Sequence, residues 1–251
     1  MAPWRELGQA VEASLHSAKA DAPLDLASVF NAMDRAPVRF VPQTALPEGA
    51  AYESHIAQHG QVPTRDNLHD GFNALCWIRF PRTKRALNRL QAQAIEASGG
   101  IQATRGPLRD AITLLDENAL LLQAPEALWK ALMARDWQRL FLTLRPLWAD
   151  ARVVTLGHAL TEKLVTPYKS ITAHVLCLPI PLHLPPDPGC GVHPWDEWLA
   201  PHLDPAWLAQ KPFTPLPVMG IPGWCEDNHH PAFYADTGVF RPPRLALHER
   251  A

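Results

Sequence analysis

Hydrophobic positions along this chain recur mostly at three- and four-residue steps, with alternating or continuous apolar runs confined to short stretches. The strongest helical pattern lies in PTRDNLHDGFNALCWIRFPRTK, residues 63–84. Leu68, Phe72, Leu75 and Cys76 make one apolar stripe that should face a core. Asp66, His69, Asp70 and Asn73 recur on a second, polar stripe, the pattern of a site and equally of a solvated face. Thr64 is the expected N-cap, with Asp66 suited to the positive end of the first turn. Pro81 restricts Phe80 and should end or kink the helix there.

Further helices are predicted over 3–20, 24–34, 52–59 and 82–98, the third closed by Gly60 and the last stopped by Gly99-Gly100. Phe40 and Val41 suit a short extended piece. RGPLRD (105–110) reads as a turn, and Ile112–Leu115 and Ala119–Leu122 flank Asp116-Glu117-Asn118 as a β-hairpin would. Leu and Ala are also good helix formers, so a continuous helix competes for the same residues. Pro125 should open a helix to Ala134, with a further helical stretch to Leu144. Residues 152–156, 158–165 and 171–178 read as strand, helix and strand, with Gly157 at the first turn.

After Pro179 the only periodic segments are 194–199 and 205–210. The expected fold is therefore α+β: a helical part over 1–60, a core over 61–178 and a Pro-rich wrapping tail over 179–251, all one domain. The core should carry a small mixed sheet drawn from 112–122 and 152–178, with helix exceeding strand.

Composition narrows the function. Hydrophobic residues make up 47% and charged residues 19%, a globular balance. A formal net charge of −2 gives no field to draw nucleic acid or an anionic membrane surface. No apolar run approaches the ~18 residues of a membrane helix. The first twenty residues include acids and lack an apolar signal region, so a cytoplasmic location is expected. Four Cys without framework spacing suit reduced thiols. Pro, at 26 residues, is about twice its usual share, concentrated in the tail.

The candidate chemistry clusters in four places. His69, Asp70 and Asn73 sit on the polar helical stripe. His158 follows Gly157 at the carboxyl end of a strand, where α/β proteins bind ligands, and Glu162 lies one helical turn later. Asp116 and Glu117 occupy the proposed hairpin tip, near Arg105 and Arg109, which could clamp an anion. Lys84, Lys163 and Lys169 are further anion ligands. His174 lies in an apolar strand pattern and suits a core histidine unless it meets His158 across the sheet. A divalent metal on Asp116, Glu162 and His174 is one version of the site. Cys190, His193, Cys225 and His229 give a C-x2-H…C-x3-H pattern that does not match zinc-ribbon spacing. No nucleotide cofactor is expected, because phosphate-loop and dinucleotide-binding motifs are missing.

HDGFNALCWIRFPRTKRALN, RGPLRDAITLLDEN, GHALTEKLVTPYKSITAH and GIPGW…FRPPR together resemble a bacterial family known only as a domain of unknown function. The resemblance implies a bacterial origin and an integral domain, and brings no reaction. The residues themselves lead to two expectations. One is a cytosolic hydrolase, with or without a metal, acting on a small anionic or phosphorylated ligand. In it His69, Asp70, Glu117 and His158 do acid–base work. The other is a non-catalytic binding protein with an exposed apolar patch near the Trp-rich segment 195–224.

Overall fold

The computed structural model describes residues 25–102, 104–188 and 191–242. The helix expected over 3–20 lies outside them, as does Cys190. In chain order the described helices are α1 (Leu26–Ala32), α2 (Tyr52–His59), α3 (Leu68–Arg79), α4 (Pro81–Ala97), α5 (Pro107–Asn118), α6 (Glu126–Met133), α7 (His158–Lys163), α8 (Asp196–Leu199) and α9 (Pro205–Leu208). The strands are β1 (Arg39–Pro42), β2 (Gln61–Thr64), β3 (Ala119–Gln123), β4 (Arg152–Thr155), β5 (Thr172–Leu176) and β6 (Phe213–Pro217). Helix exceeds strand, and the fold is α+β.

The larger sheet has the order β4-β3-β5-β6, with β3 and β5 parallel and both outer pairs antiparallel. Strand β3, ALLLQ, is buried at every position, as a central strand covered on both faces must be. Successive side chains point to opposite faces. Leu120 and Leu122 therefore join Ala173, Val175 and Leu216 on one side, where α6 packs through Leu128 and Leu132. Ala119 and Leu121 join Val154 and Leu176 on the other, beneath α5 and α4. A third cluster unites Phe30, Phe40, Ile56, Val62, Trp77 and Ile78 from α1–α3 and the parallel β1–β2 pair.

Several expectations need correcting. The hairpin over 112–122 is a helix followed by a strand. Ala111, Ile112 and Leu115 are the buried residues of α5, at helical spacing, and Pro107 starts it where a missing N–H costs nothing. Asp116, Glu117 and Asn118 are thus the last helical turn, and RGPLRD is a turn only up to Gly106. The polar triplet looked like a tip, but Leu and Ala propensity and the inward 3.6 period prevail. The long helix from Pro63 is also shorter: Thr64 ends β2, and Asn67 is the cap, its side chain accepting from the Asp70 N–H at 2.8 Å. Asp66 instead accepts from the Leu26 N–H, tying down α1. Leu68, in the first turn of α3, is 60% exposed and faces no core.

Two strands were hidden by proline. Strand β2 contains Pro63, and β6 contains Pro215 and Pro217. Among the described strands β6 pairs only with β5, and proline is tolerated at such a sheet edge because the outward N–H is not needed.

The last third is pinned to the α3–α4 corner by buried polar groups. Arg79, 1% exposed, pairs with Asp187 and donates to the Gly191 carbonyl at 2.6 Å. Asp196 accepts from the N–H groups of Arg82 and Thr83, each at 2.9 Å, and so caps α4 from more than a hundred residues downstream. His193 stacks on Phe80 at 4.9 Å.

Candidate functional site

A cavity of about 480 Å³ opens between α2, α4 and α5, floored by α3. Its polar wall exists because three amphipathic helices turn polar positions inward. On α4, Lys84, Asn88 and Gln91 follow each other at helical spacing on the same face as Leu87 and Ile95. From α2 come Tyr52 and Glu53; from α3, Asn73 and Trp77; from α5, Arg109, Asp116 and Glu117. Arg105 stands at the rim and donates to the Thr113 hydroxyl at 3.3 Å.

Lys84 is the hub. Its ammonium, nearly buried, pairs with Asp116 Oδ1, donates to Asn73 Oδ1 at 2.8 Å and lies 5.4 Å from the centre of the Trp77 ring. Burial by itself would lower its proton affinity, but Asp116, with Cys76 and Glu53, outweighs this and holds it charged. Asp116 is the mirror case. Burial pushes its pKa up, and Lys84, His158 and His69 more than reverse that, so the carboxylate stays ionised. Glu53 goes the other way: burial, then the negative charge of Asp116, raise its pKa against a hydrogen bond from Asn88 Nδ2 at 2.5 Å. Tyr52, which accepts from Asn73 Nδ2 at 3.2 Å, is also driven upward by burial and stays neutral. Among the described residues, Gln91 Oε1 and Arg109 Nε are buried without a hydrogen-bond partner, leaving one acceptor and one donor unmet.

Behind Asp116, away from the cavity, lies a line of three more titratable groups. Gly157 makes it possible. A Cβ there would sit 2.4 Å from the Glu117 carbonyl oxygen and 2.5 Å from the Asn118 nitrogen, so only glycine lets the start of α7 meet the end of α5. The N–H groups of Leu156 and Gly157 both donate to the Ala119 carbonyl, at 3.1 and 2.9 Å. This contact places His158 Nδ1 3.6 Å from Asp116 Oδ2. His158 Nε2 is 3.0 Å from His69 Nε2 on α3, and His69 Nδ1 is 2.9 Å from Glu162 Oε2. His158 is buried; His69 and Glu162 are 37% and 39% exposed in their side chains. Burial, opposed by Asp116 but aided by Lys84 and His69, pushes His158 down to about 4.

The expected site residues thus divide. His69, Asn73, Lys84, Asp116, His158 and Glu162 form one connected series, and Glu117, Arg105 and Arg109 line the cavity it adjoins. Asp70 lies outside the series: the backbone N–H and guanidinium of Arg65 hold its carboxylate, at 2.6, 3.1 and 2.9 Å. Lys163 donates to Asn118 at 2.9 Å beside the α5 terminus, and Lys169 pairs with Asp236 under the Phe233 ring. His174 sits on β5 opposite Ala119, outside this series, and burial, then Lys163, lower its pKa.

Among the described residues no group of three or more His, Cys, Asp or Glu could hold a metal ion. Asp116 and Glu162 stand at opposite ends of a line, not around a point. Of the four C-x2-H…C-x3-H residues, His193 packs between Phe80 and Trp195, and His229 is exposed and bonded to the Glu226 carbonyl.

Tyr52, Glu53, Asn88 and Gln91 were not among the expected site residues. The signal for the last two was available, since Lys84, Asn88 and Gln91 interrupt the apolar face of α4 at positions i, i+4 and i+7. Glu53 had none: an acid in the first turn of a short helix reads as a partner for the helix dipole.

Fold and cavity together define an α+β protein with an open, mixed-polarity cavity in which the pKa values of Glu53 and Asp116 are displaced in opposite directions. The chain belongs to the family described as Protein of unknown function (DUF3025), whose model matches residues 38–244. No curated protein and no solved structure matches it. Among the described residues no helix is long and apolar enough to cross a membrane.

Proposed function

We propose that this protein is an enzyme that hydrolyses a small anionic ligand by metal-free acid–base catalysis in the cavity between α2, α4 and α5. The observation that carries this reading is the pair Glu53 and Asp116. Both line one cavity, Glu53 pushed toward the protonated acid by burial and Asp116 held as carboxylate by Lys84. Opposed environments of this kind divide the roles of general acid and general base. Asp116 would take a proton from the attacking water, and Glu53 would deliver one to the leaving group. Arg109, with its unmet Nε, and Arg105 at the rim would hold the anion; Gln91 Oε1 would accept from a ligand N–H or O–H.

The binding-protein reading called for an exposed apolar patch near residues 195–224. There Trp195 is fully buried and Trp198, Trp207 and Trp224 are partly buried against the cores, which favours the cavity instead. The free thiols of Cys76, Cys177 and Cys225 support a reducing, cytoplasmic setting.

The test is hydrolysis of a panel of p-nitrophenyl phosphate, short carboxylate esters and N-acyl amino acids, measured from pH 4 to 9. Turnover should follow a bell-shaped profile. Asp116→Asn and Glu53→Gln should each lower kcat by about 100-fold or more, and Arg109→Ala should raise KM. Turnover indifferent to both carboxylates refutes the assignment. Saturable binding of these anions with no turnover points to the non-catalytic reading.

A further inference from the structure

The line Glu162–His69–His158 has no place in holding a ligand, since none of the three lines the cavity. It runs instead from the opposite, solvent-exposed side of α3 and α7 to the back of Asp116. Every link but the last is at hydrogen-bond distance: 2.9 Å from Glu162 to His69 and 3.0 Å from His69 to His158. The rings meet edge-on, centroids 4.5 Å apart and planes at 79°, with the two Nε2 atoms as the facing nitrogens. The second nitrogen of each ring faces a carboxylate, Glu162 at one end and Asp116 at the other.

We propose that Glu162, His69 and His158 form a proton path that exchanges protons between solvent and the cavity carboxylate Asp116. An imidazole accepts a proton at one nitrogen and releases another from the second, so a chain of two can pass one without either ring moving. In the inward direction a proton on Glu162 goes to His69 Nδ1. The Nε2 proton of His69 goes to His158 Nε2, and the Nδ1 proton of His158 goes to Asp116. One proton has crossed and both rings have changed tautomer; the outward passage restores them. The last gap, 3.6 Å, closes when Asp116 moves toward His158 by roughly 0.5 Å, away from Lys84. The depressed proton affinity of His158 suits a relay group, which must not keep the proton it receives. As an acid–base device the path rests on the enzyme reading; as a hydrogen-bonded line of shared protons it can be tested without a substrate.

The first experiment is nitrogen-15 NMR on the full chain labelled at histidine. An N–H···N bond between the rings should appear as a scalar coupling between the two Nε2 nuclei. The charged groups facing these rings are Asp116 from α5, Lys84 from α4 and Glu162 from α7. Asp116→Asn removes the acceptor that faces His158 Nδ1 at one end, so the nitrogen-15 shifts of both rings, His69 at the other end included, should report a changed tautomer distribution. Glu162→Gln should do the same from its own end. Absence of the coupling, or His69 nitrogen-15 shifts indifferent to Asp116→Asn, overturns the proposal.

The second experiment uses whatever hydrolysis the substrate panel reveals. His69→Gly should slow kcat without changing KM, and added imidazole should restore it; imidazole should leave Asp116→Asn unrescued. If Asp116→Asn abolishes turnover while His69→Gly and His158→Gln leave kcat and its pH profile intact, the path is wrong and the enzyme reading stands. If the coupling and the tautomer change are present but Asp116→Asn leaves turnover intact, the enzyme reading falls and the path survives as a solvent connection to a buried acid.

Discussion

Replacing Gly157 by alanine should be among the most damaging single-methyl changes in this protein. The added Cβ would meet the Glu117 carbonyl oxygen at 2.4 Å, the Glu117 carbonyl carbon at 2.5 Å and the Asn118 nitrogen at 2.5 Å. Ordinary contact begins near 3.4 Å, so α7 and the end of α5 must separate by about 1 Å, and backbone on both sides resists. Overpacking of this kind costs about 1–3 kcal/mol. Separation also stretches the two bonds to the Ala119 carbonyl, each worth about 1 kcal/mol. The sum is about 3–5 kcal/mol, or roughly 6–20 °C in Tm for a chain of this size. Urea and thermal unfolding, followed by circular dichroism, measure it directly. Gly71→Ala is the control: it lies inside α3, its Cβ would find only Leu26 at 3.7 Å, and it should stabilise by about 0.5–1 kcal/mol. A Gly157→Ala protein within about 0.5 kcal/mol of wild type would refute the close-approach argument.

Two further outcomes are expected. His158 has a folded pKa near 4 against an ordinary 6.5, so below pH 6.5 the unfolded chain takes up a proton that the folded chain refuses; stability should fall by up to about 3 kcal/mol between pH 6.5 and 4, and His158→Gln should flatten that slope in urea titrations. Lys84→Met strands the Asp116 carboxylate and should cost about 3–5 kcal/mol, whereas Lys84→Met with Asp116→Leu should recover most of it; a double-variant loss equal to the sum of the two single losses would show that the pair is not coupled.

The legibility of the chain was uneven, for physical reasons that differ by residue. Helices α3 and α4 and their boundary were readable because Pro81 acts locally, through the clash with Phe80. The Gly157-His158 corner was readable because a β-branched run, a glycine and a helix follow in order. Helix α5 was misread because Asp116-Glu117-Asn118 has turn composition, and composition cannot register that Ile112 and Leu115 share a buried face with Ala111. Strands β2 and β6 were missed because proline speaks against a central strand and says nothing about an edge. In the site, His69, Asp116, His158 and Glu162 stand out by residue type, but their sequence in space follows from α5 being helical, which turns Asp116 toward Lys84. Glu53 was not legible at all. Its raised pKa comes from burial under α4 and from Asp116, sixty-three positions away, and neither leaves a local mark.

The remote cap on α4 has a consequence for how the chain acquires its structure. Asp196 supplies the acceptor for the first free N–H groups of α4, and Asp187 supplies the counterion of Arg79 at the end of α3. While the chain is being synthesised, about a hundred residues must emerge after these helices before either partner exists. During that interval the α3–α4 corner carries a bare arginine and open helix-end donors, the two groups a folding intermediate can least bury. The corner that floors the cavity is therefore among the last parts to set. Chains ending before Asp187 should hold α3 and α4 as loosely docked helices, and refolding of the full chain should be limited by closure of this long loop.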